Sequence, residues 1–309
     1  MNKIIASIYL LLSVSVFSQN NNKTVRQILE KVNIDSLKTY VNILSGEIST
    51  QINGKELKIK NRYTYNSSKF LAAEYIEQKL IKNGLDTYKQ DFHKEQVNHG
   101  RNVYGIKYGK MFPDSFIIIC AHYDDISFQG EPTGADDNAS GVAAVIEASR
   151  LLKEMTSNYS IIFALWDKEE VGLMGSNYFA ENFSKIENVI SVINIDMIGY
   201  NTDGDDTIEV HTNEINNSVE LAYFTKDIIK NYDLKLSADI TNPGTTYSDH
   251  SSFWDEGITA ILLIEEYWND DFNDCLHQPC DKINKFNFDY FEECTKLIIA
   301  TVSELALKE

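Results

Sequence analysis

The chain has 309 residues, 43% of them apolar and 11% aromatic, enough to fill a substantial core, so disorder is not the default. Its formal charge of −18 argues against nucleic acid, whose phosphates need Lys and Arg, and against stable association with an anionic membrane surface. An acidic enzyme or binding protein is the simpler reading.

The first residues, "MNKIIASIYLLLSVSVFSQ", give one Lys, an uncharged stretch from Ile4 to Phe17, and Val16 and Ser18 where a signal peptidase tolerates them. That stretch is too short for a permanent bilayer span. Residues 1–18 are therefore expected to be a removed signal peptide that exports the protein to the periplasm or beyond. No Cys follows the stretch, so a lipid anchor is not expected. Residues 19–309 contain no repeat and no Pro- or Ser-rich linker, and one domain is the economical reading.

Helical periodicity then appears over residues 67–84, with Gly84 as its stop. Arg62 and Lys60 just before it read as surface charges. Apolar, β-branched runs predict strands at "NVYGIKYG", "SFIIICAHYD", "YSIIFALWD", "VISVINIDMIG", "DTIEVHT" and "ITAILLIEE". Helices are predicted between and after them, over 139–154, about 174–184, 216–231 and 287–307. Several strands are apolar on both faces, as in a parallel sheet covered by helices. Alternation of strand and helix after residue 100 predicts an α/β sandwich, whose ligands bind beyond the carboxyl ends of the strands.

Those ends carry metal-ligand residue types: His122 and Asp124 in "AHYDD", Asp136 and Asp137 in "GADDNASG", Glu169 and Glu170 in "WDKEEVGLMGS", Asp196 in "NIDMIGY", and Asp249 with His250 in "YSDHSSF". One carboxylate at a strand end means little, because turns and caps use Asp freely. Five such sites converging on one edge, with no thiolate among them, suit zinc, with manganese or cobalt as substitutes. Two imidazoles and three or four carboxylates exceed one tetrahedral zinc but fit two metals sharing a bridging carboxylate. Asp136 is read as that bridge, its charge repulsion with Asp137 offset by cations. Asn138 or Asp137 would cap the following helix, and Ala139, Ser140 and Gly141 would let its first turn come close.

With these residues in order, the chain resembles the di-zinc aminopeptidase family of the secreted bacterial leucyl aminopeptidase type, relatives of glutaminyl-peptide cyclotransferases and glutamate carboxypeptidase-like proteins. The resemblance runs from about residue 60 to the C-terminus and rests on "AHYD", "GADDNASGVAAVIEASRLL", "EEVGLMGS", "NIDMIGY", "SDHSSF" and "HQPCDKIN". It implies a three-layer αβα sandwich with a central mixed, mostly parallel sheet, of the zinc exopeptidase, phosphorylase/hydrolase-like type. Two zinc ions per chain are implied: His122 and Asp196 on one, Glu170 and His250 on the other, and Asp136 bridging. Glu169 would be the general base, and Asp124 would orient His122. The Asp136–Asp137 peptide bond would be cis. The substrate would be a peptide with a free N-terminus, losing its first residue.

Departures from the family pattern accompany the match. Asp167 and Lys168 precede the glutamate pair where many relatives carry small or apolar residues. In "HQPCDKIN" the His277 and Asp281 pattern is kept with Cys280 between them, and His277 reads as a substrate-side or loop-packing residue. Tyr247 is a candidate oxyanion donor or a cleft-wall aromatic. Cys275 and Cys280 bracket a short loop suited to a disulfide, while Cys120 and Cys294 read as small hydrophobes. His93, His99 and His211 have no partner pattern and read as surface or packing residues. Asp203, Asp205 and Asp206 in "NTDGDD" offer carboxylates to calcium but lack a calcium loop's spacing and read first as a turn. Competing functions are a glutaminyl-peptide cyclotransferase, a carboxypeptidase-type exopeptidase, and a non-catalytic binding protein that had lost its ligands. The sequence leaves the oligomeric state open.

Overall fold

A computed structural model describes residues 22–93, 99–128, 130–131, 133–268 and 271–308; the expected signal peptide lies outside them. In chain order the elements are α1 (Lys23–Leu29), α2 (Ile34–Leu44), β1 (Thr50–Ile52), β2 (Lys55–Leu57), α3 (Phe70–Lys82), β3 (Asp86–His93), β4 (His99–Lys107) and β5 (Phe112–His122). Then come α4 (Ala139–Leu152), β6 (Tyr159–Trp166), α5 (Met174–Asn182), β7 (Val189–Ile195) and β8 (Thr207–His211). The chain ends with α6 (Ser218–Tyr232), β9 (Ser237–Thr241), α7 (His250–Asp255), β10 (Ala260–Ile264) and α8 (Phe288–Leu307). Among the described residues, no helix is long and apolar enough to cross a membrane.

Eight strands form one sheet in the order β3-β4-β6-β5-β7-β10-β8-β9. Its centre, β6, β5, β7 and β10, is parallel. The flanks bring in antiparallel pairs, β3 with β4, β4 with β6, and β8 with β10, so the sheet is mixed. The period-2 pleat sends alternate side chains of each strand into different layers. Ile117, Ile119, Ile161, Phe163, Ile193 and Leu263 face a large core completed by α1, α2, α3, α4, α6 and α8. Phe116, Ile118, Ile162, Trp166 and Val192 face a smaller one completed by Phe179 of α5 and by Phe253 and Trp254 of α7. At roughly 1.5–3 kcal/mol for each large apolar side chain buried, these two faces supply the main drive for the sandwich.

The three-layer αβα reading and the six predicted strands agree with this architecture. Edge strands β3 and β9 were not anticipated. Their mostly exposed or half-buried residues, such as "DTYKQDFH", leave no apolar run to find. Helix α7 escapes for another reason, its six residues being too few to show a period.

Arg62 is a correction: it is fully buried, not a surface charge. Its Nε donates to the Tyr123 carbonyl at 2.7 Å and its Nη2 to the Gly134 carbonyl at 2.6 Å, and it pairs with buried Asp125 at 3.7 Å. One guanidinium thus ties the exit of β5 to the loop that precedes α4. Lys60 is exposed as expected. Replacing Arg62 by Met should cost about 3–5 kcal/mol, because Asp125 would be left buried and unpaired; urea unfolding would measure it, and a loss below about 1 kcal/mol would contradict this role.

Candidate metal centre and cleft

The carboxyl ends of the central strands open into a cleft of about 560 Å³. One side of it is polar, formed by His122, Asp137, Glu169, Glu170, Asp196 and His277. The apolar part of its lining comes from Met197, Leu262, Ile264, Tyr267, Phe272 and Leu276.

His122 ends β5, and its ring is held by an Nδ1 contact of 3.2 Å with the Asp124 carbonyl. The Asp124 carboxylate is farther from that ring, at 3.7 Å, and instead accepts the Glu169 backbone N–H at 3.1 Å. The expected orienting role therefore falls to the Asp124 backbone, while its side chain holds the segment after β6. There Lys168 adopts a left-handed conformation, φ 64°, which turns Glu169 and Glu170 into the cleft. Lys168 and Asp167 are both buried: Lys168 Nζ donates to the Thr64 carbonyl at 3.1 Å, and Asp167 pairs with Lys69 at 2.7 Å. The two residues that depart from the family pattern thus anchor the turn to the segment before α3.

The free Nε2 of His122 lies 3.3 Å from Asp137 Oδ1 and 3.3 Å from Asp196 Oδ1. The other oxygen of Asp137, Oδ2, lies 3.1 Å from Nε2 of His277, which is also 2.9 Å from Glu170 Oε2. Two donor groups result, His122–Asp137–Asp196 and Asp137–Glu170–His277, in each of which the donor atoms lie within 4.8 Å of one another. Asp137 belongs to both.

Two expected ligands are not part of this cluster. Asp136 points away from the cleft; its oxygens accept from the Gly199 N–H at 2.9 Å and from Asn273 Nδ2 at 3.0 Å. Both aspartates lie in the turn that leads into α4, and with the Asp136 carboxylate taken up by Gly199 and Asn273, Asp137 is the one that faces the site. His250, at the start of α7, donates from Nε2 to the Thr245 carbonyl at 2.9 Å and packs edge-on against Trp254. Burial pushes its pKa down to about 3. Its neighbour Asp249 is fully buried with both oxygens outside hydrogen-bond reach of a donor, and burial raises its carboxyl to about 7. The cis peptide bond follows Asp137, joining it to Asn138, one position later than expected.

Asn138 caps α4, accepting the Gly141 N–H at 2.9 Å. A Cβ on Gly141 would meet that cap oxygen at 2.4 Å and the Ile195 carbonyl at 2.9 Å, so this first turn must be glycine to reach β7. Asp281 holds the other side of the motif: its carboxylate accepts the backbone N–H groups of both Asp136 and Asp137, at 3.0 Å each. The loop bearing Asp281 also carries His277, and the Cys275–Cys280 disulfide closes it. Behind Asp196 a polar chain adds a contact the sequence did not suggest. Ser248 Oγ donates to Asp196 Oδ2 at 2.7 Å and accepts from Asn194 at 2.8 Å. Tyr247, beside Ser248, lines the cleft but is 75% exposed.

The electrostatics of the cluster call for a cation. Burial, then the charge of Asp137, raises Glu170 to about 8. Burial raises Glu169 well above the usual carboxylate range, with His122 opposing it. Burial alone would lower His277, yet Asp137 and Glu170 raise it to about 10. Clustered carboxylates out of water are stable only with compensating positive charge. Imidazole nitrogens and carboxylate oxygens, with no thiolate, are the donor chemistry that zinc accepts. The residues present therefore fit a bound metal. Elsewhere, Asp203, Asp205 and Glu266 also approach one another. Asp206 is not in that group, and Asp203 and Asp205 accept backbone N–H groups two residues on, as turn residues do.

An αβα sandwich with an acidic, histidine-bearing cleft at its strand ends defines the class of protein. Residues 102–302 match peptidase family M28, and the chain belongs to that family. Aminopeptidase YwaD of Bacillus subtilis is 29% identical over 217 residues, covering 68% of this chain but only 45% of that protein. A probable leucine aminopeptidase of Trichophyton verrucosum is 28% identical over 298 residues, or 91% of this chain and 76% of the relative. Among solved structures, LapB of Legionella pneumophila superposes with a TM-score of 0.79 at 24% identity, covering 95% of this chain and 77% of its own. BSAP, a zinc aminopeptidase from Bacillus subtilis, gives 0.76 at 17% identity, covering 90% and 96%. These two likenesses are of fold.

The disulfide closes a loop whose cysteines are 5 positions apart. Replacing both cysteines by Ser should lower stability by about 2 kcal/mol through the freed unfolded chain; guanidinium unfolding with and without reductant would measure it, and equal midpoints would contradict it.

Proposed function

We propose that the protein is an exported, metal-dependent aminopeptidase that removes the first residue of a peptide, with residues 19–309 as one catalytic unit. The observation that carries this reading is Asp137, whose two oxygens face two different histidines, His122 and His277. His122, Asp137 and Asp196 would hold one zinc, and Asp137, Glu170 and His277 the second, with manganese or cobalt as substitutes. When bound, the metals supply Lewis acidity, lowering the pKa of a water and polarising the substrate carbonyl.

The chain's own groups then divide the remaining work. Glu169, fixed by its backbone bond to Asp124, takes the proton of the attacking water and returns it to the departing amine. Burial raises its proton affinity, the direction that favours a general base. The carboxylates of the polar side attract the α-ammonium of a free N-terminus, which selects the first residue over an internal one. The apolar wall of Met197, Leu262, Ile264, Phe272 and Leu276 receives a bulky apolar first side chain such as leucine. Tyr247 at the mouth is the candidate donor to the developing oxyanion.

Zinc content separates the present ligand set from the one expected from sequence. After chelation and reloading, the wild type should hold two zincs per chain, His277→Ala one, and His250→Ala two; a normal content in His277→Ala would remove His277 from the site. Activity tests the rest: leucyl p-nitroanilide should be cleaved, Glu169→Gln should lose about 10²–10⁴ of kcat, and N-acetylation of the substrate should abolish turnover. A wild type that binds one zinc and cyclises N-terminal glutamine instead would replace this reading with the cyclotransferase.

A further inference from the structure

His211, at the end of β8, is fully buried and paired with the buried Glu209 two residues before it. The contact is 2.6 Å from His211 Nε2 to Glu209 Oε2. The expectation of a surface or packing role for this histidine is thereby corrected on its first count. Neither residue lines the cleft, and neither touches the acidic cluster, so the mechanism above leaves both unused.

Each member of the pair holds a different wall of the cleft. His211 Nδ1 accepts the backbone N–H of Thr245 at 3.0 Å. A nitrogen that accepts carries no proton, so the ring donates from Nε2 to Glu209 Oε2. Gly244 packs against the same ring stem: a Cβ there would lie 2.7 Å from the His211 Cβ, so only glycine permits this approach. The loop so fixed runs on through Thr245, Thr246, Tyr247 and Ser248, all of which line the cleft. The remaining oxygen of Glu209, Oε1, accepts the Trp268 backbone N–H at 2.9 Å. Trp268 follows Tyr267, which lines the cleft, and the two rings have centroids 6.1 and 6.3 Å from that of His211.

We propose that the Glu209–His211 pair is the positioning element that fixes the spacing between the 245–248 loop and the 267–268 segment, which brings Tyr267 to the cleft, and thereby sets discrimination by the size of the substrate's first side chain. This rests on the aminopeptidase reading above. A large side chain reaches both walls and uses their spacing, whereas a methyl group does not. Loosening the pair should therefore penalise leucine and spare alanine, and a pocket's grip on a few methylenes amounts to about 10–200-fold.

The test compares wild type with His211→Ala and with the isosteric Glu209→Gln, which keeps an acceptor for Trp268 and guards against a misfolded alanine variant. Their kcat/KM values on leucyl and alanyl p-nitroanilide are measured at equal zinc content. The leucyl value should fall about tenfold or more in His211→Ala, mainly through KM, and the alanyl value less than about threefold. Glu209→Gln should shift the ratio in the same direction. A merely structural role would lower both substrates together, in proportion to the folded fraction, and an unchanged ratio in folded variants would overturn the proposal. A second readout needs no turnover. Trp268 is the exposed one of the three tryptophans, and its quenching by acrylamide, taken against a Trp268→Phe background, should rise in both variants. If wild type cleaves neither substrate, the aminopeptidase reading fails and quenching alone decides the pair: a rise supports the positioning role, and no change sinks it.

Discussion

Everything around the cleft answers to one constraint, the concentration of carboxylates out of water at the carboxyl edge of the sheet. Asp124, Asp136, Asp137, Glu169, Asp249, Glu265 and Asp281 are all buried there, and charge of one sign in such a place must be neutralised, hydrogen-bonded or met by a cation. The fold uses all three solutions in different layers. Facing the cleft, Asp137 and Glu170 meet imidazoles, and Asp196 meets His122 on one oxygen and Ser248 on the other, the arrangement a dication completes. One layer back, Asp136, Glu265 and Asp281 are occupied by backbone N–H groups and by Asn273. Behind the glutamate turn, Lys69 and Arg62 supply fixed positive charge to Asp167 and Asp125.

That layering explains why the site can be both acidic and rigid. Each cleft-facing group is held by a buried neighbour: Glu169 by Asp124, Asp196 by Ser248, Asp137 by Asp281. Metal-binding side chains positioned in this way need little reorganisation when a metal enters. The Glu209–His211 pair extends the same device to the apolar wall, where no charge is needed for chemistry but two loops must keep their spacing.

Much of this was legible in the sequence. Strands buried on both faces announce themselves as apolar runs, and a parallel arrangement points to their carboxyl ends, so His122, Glu169, Glu170 and Asp196 could be expected together at the cleft from the sequence. Other residues were not legible because their neighbours in space are remote in sequence. Nothing local distinguishes Asp136 from Asp137; the choice is made by Gly199 and Asn273, 63 and 137 positions later, which claim the Asp136 carboxylate. His250 and His277 both follow motif-like contexts, and only packing against Thr245 and Trp254 withdraws the former. Arg62 and His211 looked unremarkable for the same reason: the partners of Arg62 lie on other elements, and the Thr245 N–H that His211 accepts is 34 positions away.

By itself, then, the sequence determined the αβα sandwich, the edge at which the chemistry sits and the residue types gathered there, because hydrophobic period and strand ends are local properties. Tertiary structure alone decided which aspartate and which histidines turn into the cleft and which buried pairs hold its walls. Those choices depend on the side of the backbone each group leaves from and on long-range hydrogen bonds that exist only once the loops have met.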